Sequence, residues 1–372
     1  MRKYPLTQPK NWVPPVPRWQ LKLPEEVEII YTTYVGVQQH NSRSDPATDA
    51  AWNCAIEEIE LWLKKPSHAP AAVDPFTVQE GFDIPGSRIW VAYWTDKRPW
   101  DDAMLELNLS EIFHHLPLDN RASIGLWTET FTTPVERLET NYANLHHRPG
   151  LGSLPNTERT EHTLSAYWGA ARDRMPASAY DLYSPPSESS LKPPENVPWG
   201  LGQRLKGSSY DNIVHIRSGQ IWTQCLEAEA TAYETTLEPV LMEGMRYLWS
   251  NPTDTGTVGL RFLRNVDPEK GYEEMKETCG AGFFRNLEDL EKWAKRHKSH
   301  LAIFNGAHKH AKDWGADRKF MTWHEVSVLK KGEARWEYVN CAPETGVIRW
   351  IQMDEIEEIK VGNGYLKDAS KS

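Results

Sequence analysis

The chain has 372 residues, 25% charged and 39% hydrophobic, the composition of a soluble globular protein long enough for one large domain or two of average size. A net charge of −10 without any run of Lys or Arg argues against a nucleic-acid partner, and no apolar stretch approaches the roughly 20 residues that cross a bilayer. The opening MRKYPLTQPKNW lacks the apolar core of a secretory signal, and Cys54, Cys225, Cys279 and Cys341 form no C-x-x-C pair, so we expect a cytoplasmic protein with neither a disulfide framework nor a zinc site.

Residues 1–25 are Pro-rich (QPKNWVPPVPRWQLKLP) and read as an extended arm with no regular element. A β-branched and aromatic run over 26–38 predicts a strand. Next comes a helix over 49–65, in which Trp52, Ile56, Ile59 and Leu63 recur at helical spacing before Pro66 ends it. A strand over 87–95, a helix over 101–115 and a strand over 122–132 complete the first half. The second half repeats the order, with a strand over 212–222, a helix over 226–249 and a strand over 257–265. A helix over 287–310 and a strand or strand pair over 323–340 follow. Helices with one apolar stripe each need a sheet to cover, so the expected fold is α+β. It has two ferredoxin-like halves, 26–147 and 207–372, whose sheets meet as a barrel. The repeat rests on element order alone. Between the halves, 148–206 is rich in Pro, Ser and Gly and reads as a connecting segment. Its part HTLSAYWGAARDRMPASAYD interleaves aromatics with Arg172, Asp173 and Arg174, which suits either a segment packed on the body or a surface Arg–Asp pair.

Five of the 13 histidines fall in 296–326: His297, His300, His308, His310 and His324. At about 100° per residue, His297 and His308 share a sector with Leu290, Trp293, Leu301 and Phe304. His300 lies at its edge, and His310 points away toward solvent. Periodicity mildly favours His297 as the inward imidazole. An imidazole facing an apolar interior needs a partner or a metal. His297 and His300 form H-x-x-H, but HEXXH and a third ligand are missing, so zinc is a poor fit. A single axial histidine in a wide flat apolar slot is what haem requires. The 17 tryptophans suit such a cavity, as they suit an interface or a Trp-rich core.

The runs SHLAIFNGAHKH and MTWHEVSVL, with NIVHIRSGQIW, AYWGAARDRMP and FTTPVERLETNY upstream, resemble the haem-containing aldoxime dehydratases, including phenylacetaldoxime dehydratases. The resemblance spans most of the chain. It implies a dimeric α+β barrel of two ferredoxin-like halves with haem b on the C-terminal half, a homodimer in solution, and dehydration of R–CH=N–OH to R–C≡N and water on ferrous iron. By the same resemblance His300, of SHLAIF, is the proximal iron ligand, against the periodicity preference for His297. His324, of TWHEV, is the distal acid/base, and Ser218, of HIRSGQ, holds the oxime hydroxyl. Arg174 supplies the distal guanidinium, with Arg172 the alternative, and Glu139 is the acidic neighbour, with Glu136 the alternative. The turn AKDWGADRKF is slightly longer than bacterial members lead us to expect. A haem peroxidase or chlorite-dismutase-like enzyme shares the implied barrel and is the competing enzyme. A haem carrier or gas sensor is the non-enzyme reading, and it leaves Ser218, Arg174 and His324 unexplained as a set. The sequence does not fix whether the aldoxime is aryl or alkyl.

Overall fold

The protein is described from a computed structural model covering residues 2–40, 46–118, 120–186 and 192–359. In chain order its first part comprises β1 (Arg18–Lys22), β2 (Ile29–Gln39), α1 (Pro46–Lys64), β3 (Ala72–Gly81), β4 (Arg88–Trp94), α2 (Lys97–Glu106), α3 (Leu109–His115), β5 (Ile124–Pro134) and β6 (Leu138–Tyr142). The segment between the two main sheet units adds β7 (Glu158–His162), α4 (Ala170–Arg174) and β8 (Gln203–Ser208). The remainder runs β9 (Ile213–Ile221), α5 (Glu227–Ala232), α6 (Glu238–Ser250), α7 (Pro252–Thr255), β10 (Thr257–Asp267), β11 (Glu273–Phe284), α8 (Leu287–Arg296), α9 (Lys298–Trp314), β12 (Met321–Leu329), β13 (Ala334–Val339) and β14 (Met353–Glu358).

These 14 described strands make one antiparallel sheet in the order β14-β8-β13-β5-β2-β4-β3-β10-β11-β9-β12-β6-β1-β7. Its middle holds two quartets, β5-β2-β4-β3 and β12-β9-β11-β10. Each is built strand–helix–strand–strand–helix–strand along the chain, and each has the same spatial order relative to the chain. They join edge to edge where β3 pairs with β10, with Leu263 opposite Val78. Side chains alternate between faces along a strand. The inner faces of both quartets share one core, in which Tyr34, Phe76 and Phe131 meet Val258, Leu263 and Phe283. The outer face of the first quartet is covered by α1, α2 and α3, with Trp52, Ile59 and Trp62 against Val35, Trp90 and Ala92. That of the second is covered by α6, α8 and α9, with Leu241, Met245 and Leu290 facing Val214, Leu260 and Phe262.

The shared interior also contains charge. Arg261 makes two bonds to Glu129, 2.9 and 2.7 Å, and one to Asp83 at 2.8 Å. Arg217 donates to Asp74 at 2.7 Å and to the Tyr93 hydroxyl at 2.6 Å, and that hydroxyl donates to Glu325 at 2.6 Å. Buried ions without such partners would be strongly destabilising, so these bonds also fix how the strands sit on one another.

Several expectations need correction. The N-terminal arm is not without structure: after Pro17, β1 pairs with β7, Trp19 opposite Glu161, and with β6, Trp19 opposite Tyr142. The connecting segment contributes β7, α4 and β8. Four strands of the two halves went unread, β3 and β6 in the first and β11 and β14 in the second; β3 and β11 are the ones inside the quartets. β3 contains Pro75, which argues against a central strand; its pairing with β10 stops at Phe76, so Pro75 has only β4 beside it. β11 contains Gly280 and Gly282, and a Cβ on Gly282 would lie 2.5 Å from the Leu260 Cα, so the close approach of β10 requires glycine there. The helix expected over 287–310 is two helices broken at His297, whose backbone is extended at φ −83 and ψ 132. Strands β12 and β13 exist, but they are not neighbours: β13 lies between β5 and β8 on the far side of the first quartet.

Candidate active site

Between the outer face of the second quartet and helices α6, α8 and α9 lies a cavity of about 630 Å³. Leu241, Met245, Phe284, Leu290, Trp293 and Ile303 make its walls apolar, and Ser165–Arg172, Arg174, Val16 and Arg18 close one side. The break at His297 decides which imidazole enters. Its Nδ1 caps α9 by accepting from the Ser299 N–H at 3.3 Å, and its ring stacks on Tyr247 with centroids 3.8 Å apart. Because α9 starts afresh at Lys298, its helical phase differs from that of α8. His300 therefore lines the cavity and His297 does not. Helical periodicity carried across the break gave the opposite preference.

The Nδ1 of His300 is buried, and the Ala294 backbone is the polar group that acts on the ring. Burial pushes the ring down to about 4, so it is neutral near pH 7, the form that ligates a metal. The Trp293 ring lies edge-on to it, 4.7 Å between centroids. His308 also lines the cavity, with Nδ1 on the Phe304 carbonyl at 2.9 Å. His310, expected in solvent, is buried, and its Nε2 lies 3.3 Å from Glu229. The same carboxylate accepts from the Lys319 and Phe320 N–H groups, so this pair clamps the turn that follows α9.

The sheet side of the cavity is laid out by register. Gly280 of β11, Ser218 of β9, His324 of β12 and Asn141 of β6 stand opposite one another as a row across four strands. Val326 and Glu139 form the next outward-facing pair. All but Gly280 carry side chains into the cavity, and at Gly280 a Cβ would lie 2.5 Å from the Met245 Cε. Arg174, at the end of α4, donates from Nε to Glu139 Oε2 at 2.8 Å and from Nη1 to the Leu164 carbonyl at 2.6 Å. Its Nη2 lies 3.1 Å from His324 Nε2. The same Nε2 is 3.1 Å from Glu139 Oε1. Burial pushes Glu139 up, but Arg174 and His324 more than offset it and hold the carboxyl at about 2. Glu139 is therefore an anion throughout the physiological range.

Of the two arginines the sequence left open, Arg172 turns away and pairs with Glu291 of α8 at 2.8 Å, whereas Arg174 reaches His324. Glu136 is exposed and does not line the cavity, whereas Glu139 does. Sequence reasoning missed Asn141, although it sits two residues beyond Glu139 on the same strand face and the period of 2 would have found it. It also missed Thr7. The Thr7 N–H and hydroxyl donate to Asp173, at 2.8 and 2.9 Å, and the Tyr167 hydroxyl adds a third donor at 2.8 Å. The N-terminal arm thereby straps down the short helix that carries Arg174.

A neutral imidazole on the helix side of a wide apolar cavity, with a His–Arg–Glu cluster and a serine hydroxyl on its sheet side, suits an α+β enzyme with a flat prosthetic group. A family model described as haem-containing dehydratase matches residues 33–347, and the chain belongs to that family. Among curated relatives, the phenylacetaldoxime dehydratase of Bacillus sp. (strain OxB-1) is 29% identical over 353 residues, covering 94% of this chain and 96% of that protein. The aliphatic aldoxime dehydratase of Pseudomonas chlororaphis is 30% identical over 346 residues, covering 92% and 93%. A crystal structure of an aldoxime dehydratase in complex with butyraldoxime superposes with a TM-score of 0.81 at 28% identity, over 94% of each chain. The cavity fits the family's haem: it offers an apolar slot and, in His300, an imidazole kept neutral by burial.

Proposed function

We infer that this chain is an aldoxime dehydratase, a lyase that converts R–CH=N–OH to R–C≡N and water with haem as its cofactor. The observation that carries the reading is the convergence of His324, Arg174, Glu139 and Ser218 on the wall facing His300, in a chain of the haem-containing dehydratase family. His300 would hold the haem iron, a role supported by its neutral ring and its place on the cavity wall.

Bound on His300, ferrous haem b would supply a site for the oxime nitrogen and electron density as the N–O bond breaks. The protein's own groups handle the protons. Hydroxide is a poor leaving group, so His324 gives a proton to the departing oxygen, and the ring regains one from the aldoxime carbon, leaving nitrile and water in balance. Both states of the ring have a partner in place at Nε2. The neutral ring accepts there from Arg174, and the charged ring presents its N–H to Glu139 Oε1, which has no hydrogen bond of its own. Either charge state of the ring is thereby stabilised in the same position. Ser218, directly opposite His324 in the sheet register, orients the hydroxyl toward the acid.

We further propose that residues 26–147 and 207–372 are two ferredoxin-like copies, with 148–206 joining them and supplying Arg174. The matching strand orders of the two quartets support this. The family resemblance supports a homodimer, to be checked by light scattering. A cytoplasmic location agrees with four free cysteines and with the lack, among the described residues, of a helix long and apolar enough to cross a membrane.

The deciding experiment gives the reduced, haem-loaded protein an aldoxime and, separately, peroxide with an oxidisable dye. Nitrile formation without dye oxidation is expected. Dye oxidation alone would favour a peroxidase, and reversible ligand binding without turnover a haem carrier.

A further inference from the structure

The basic side chains on the cavity wall are unequal in one respect. Arg172 has Glu291 and Arg174 has Glu139, and both carboxylates are thereby engaged. Lys295 is solvent-exposed. Arg18 is half-buried, and among the described residues no carboxylate pairs with it: its hydrogen bond goes to the neighbouring Pro17 carbonyl at 3.2 Å. Its charged neighbours make matters worse. Burial first, then Arg318 and Arg174, depress its guanidinium to about 10. A cation withdrawn from water beside two other cations is costly unless an anion completes it.

The residue directly across the strand pair repeats the signal. His162 stands opposite Arg18 in the β1–β7 register, and both of its ring nitrogens are buried without a hydrogen-bond partner. A guanidinium without a carboxylate, on the wall of a cavity that takes a dianionic porphyrin and with an unpartnered imidazole next to it, points to a carboxylate as the missing group. We propose that Arg18, at the start of β1, holds a propionate of the haem. The inference rests on the haem reading above. It gives the N-terminal arm a second task, since the segment that straps α4 through Thr7 also fixes the porphyrin's carboxylate edge. An Arg fork suits this, because it meets a carboxylate with two parallel N–H groups.

The test follows haem loss to excess apomyoglobin from the full-length ferric holoprotein, wild type and Arg18→Gln, each loaded with haem b or with its dimethyl ester. Arg18→Gln should release haem b at least about tenfold faster than wild type, as expected for one lost charge-assisted bond. With the dimethyl ester the two proteins should release at the same rate, because the ester offers no anion. Arg18→Lys, which keeps the charge and loses the fork, should fall between them and covers the case in which Arg18→Gln fails to fold. Equal haem b release from wild type and variants would overturn the proposal. So would an acceleration as large for the ester as for haem b, which would make Arg18 a structural residue only. A wild-type protein that takes up no haem would instead overturn the cofactor reading on which this one stands.

Discussion

At the scale of single residues, the site depends on an anion kept ionised inside the protein. Glu139 is held at about 2 against an ordinary 4.5, so its folded value is depressed, and the stability it contributes is present above pH 4.5 and lost as the pH falls through 2. That contribution is on the order of 3 kcal/mol. Glu139→Gln should cost about that much near pH 7, and urea midpoints for variant and parent should converge as the pH is lowered from 5 to 2. The histidines separate by a different measurement. His300→Ala should purify almost without a Soret band, and His297→Ala should keep it. His324→Ala should keep haem yet lose about 10²-fold or more in turnover. A haem-free His297→Ala would reverse the ligand assignment. The sequence carried most of these identities through motif resemblance. It failed where phase mattered: the extended backbone of His297 resets the helix, and no spacing rule applied across that break finds His300.

At the scale of elements, α4 is too short to hold Arg174 by itself, spanning only Ala170–Arg174. Its anchor is Asp173, which collects three side-chain or backbone donors from Thr7 and Tyr167. Asp173→Ala should therefore leave the haem spectrum intact while lowering kcat roughly tenfold to a hundredfold, because the guanidinium loses its place at His324. Loss of haem in that variant would mean the strap serves the cavity as a whole. Why this element and its neighbours were hard to read is physical. A Pro-rich arm signals no strand, yet β1 needs only the edges offered by β6 and β7. Likewise β3 and β11 hide behind Pro75 and behind Gly280 and Gly282, residues that ordinarily end strands and here permit close packing instead. The helices and the remaining central strands were legible because their periodicity follows directly from one buried face.

At the scale of the molecule, no described residue of the first quartet lines the cavity, yet the quartet is tied to the site through the sheet. Arg217 and Glu325 are the immediate chain neighbours of Ser218 and His324. Alternation sends them to the inner face, where Tyr93 and Asp74 of the first quartet bind them. The serine and histidine are thus positioned from behind by residues of the other half. Tyr93→Phe removes one hydroxyl that both donates and accepts in this chain and leaves Arg217 and Glu325 short of a partner. It should cost about 1–3 kcal/mol. It should also lower turnover with haem content unchanged, since the row of Ser218 and His324 loses part of its support. The same coupling bears on folding. Because the two inner faces share a core and β3 pairs directly with β10, calorimetry of the haem-free chain should give a single transition whose van't Hoff and calorimetric enthalpies agree. Residues 207–372 alone would expose the inner face of the second quartet and leave Arg217 buried without Asp74. They should give no cooperative melt and no protease-resistant core, and a stable, haem-binding C-terminal fragment would refute the claim that the halves fold as one.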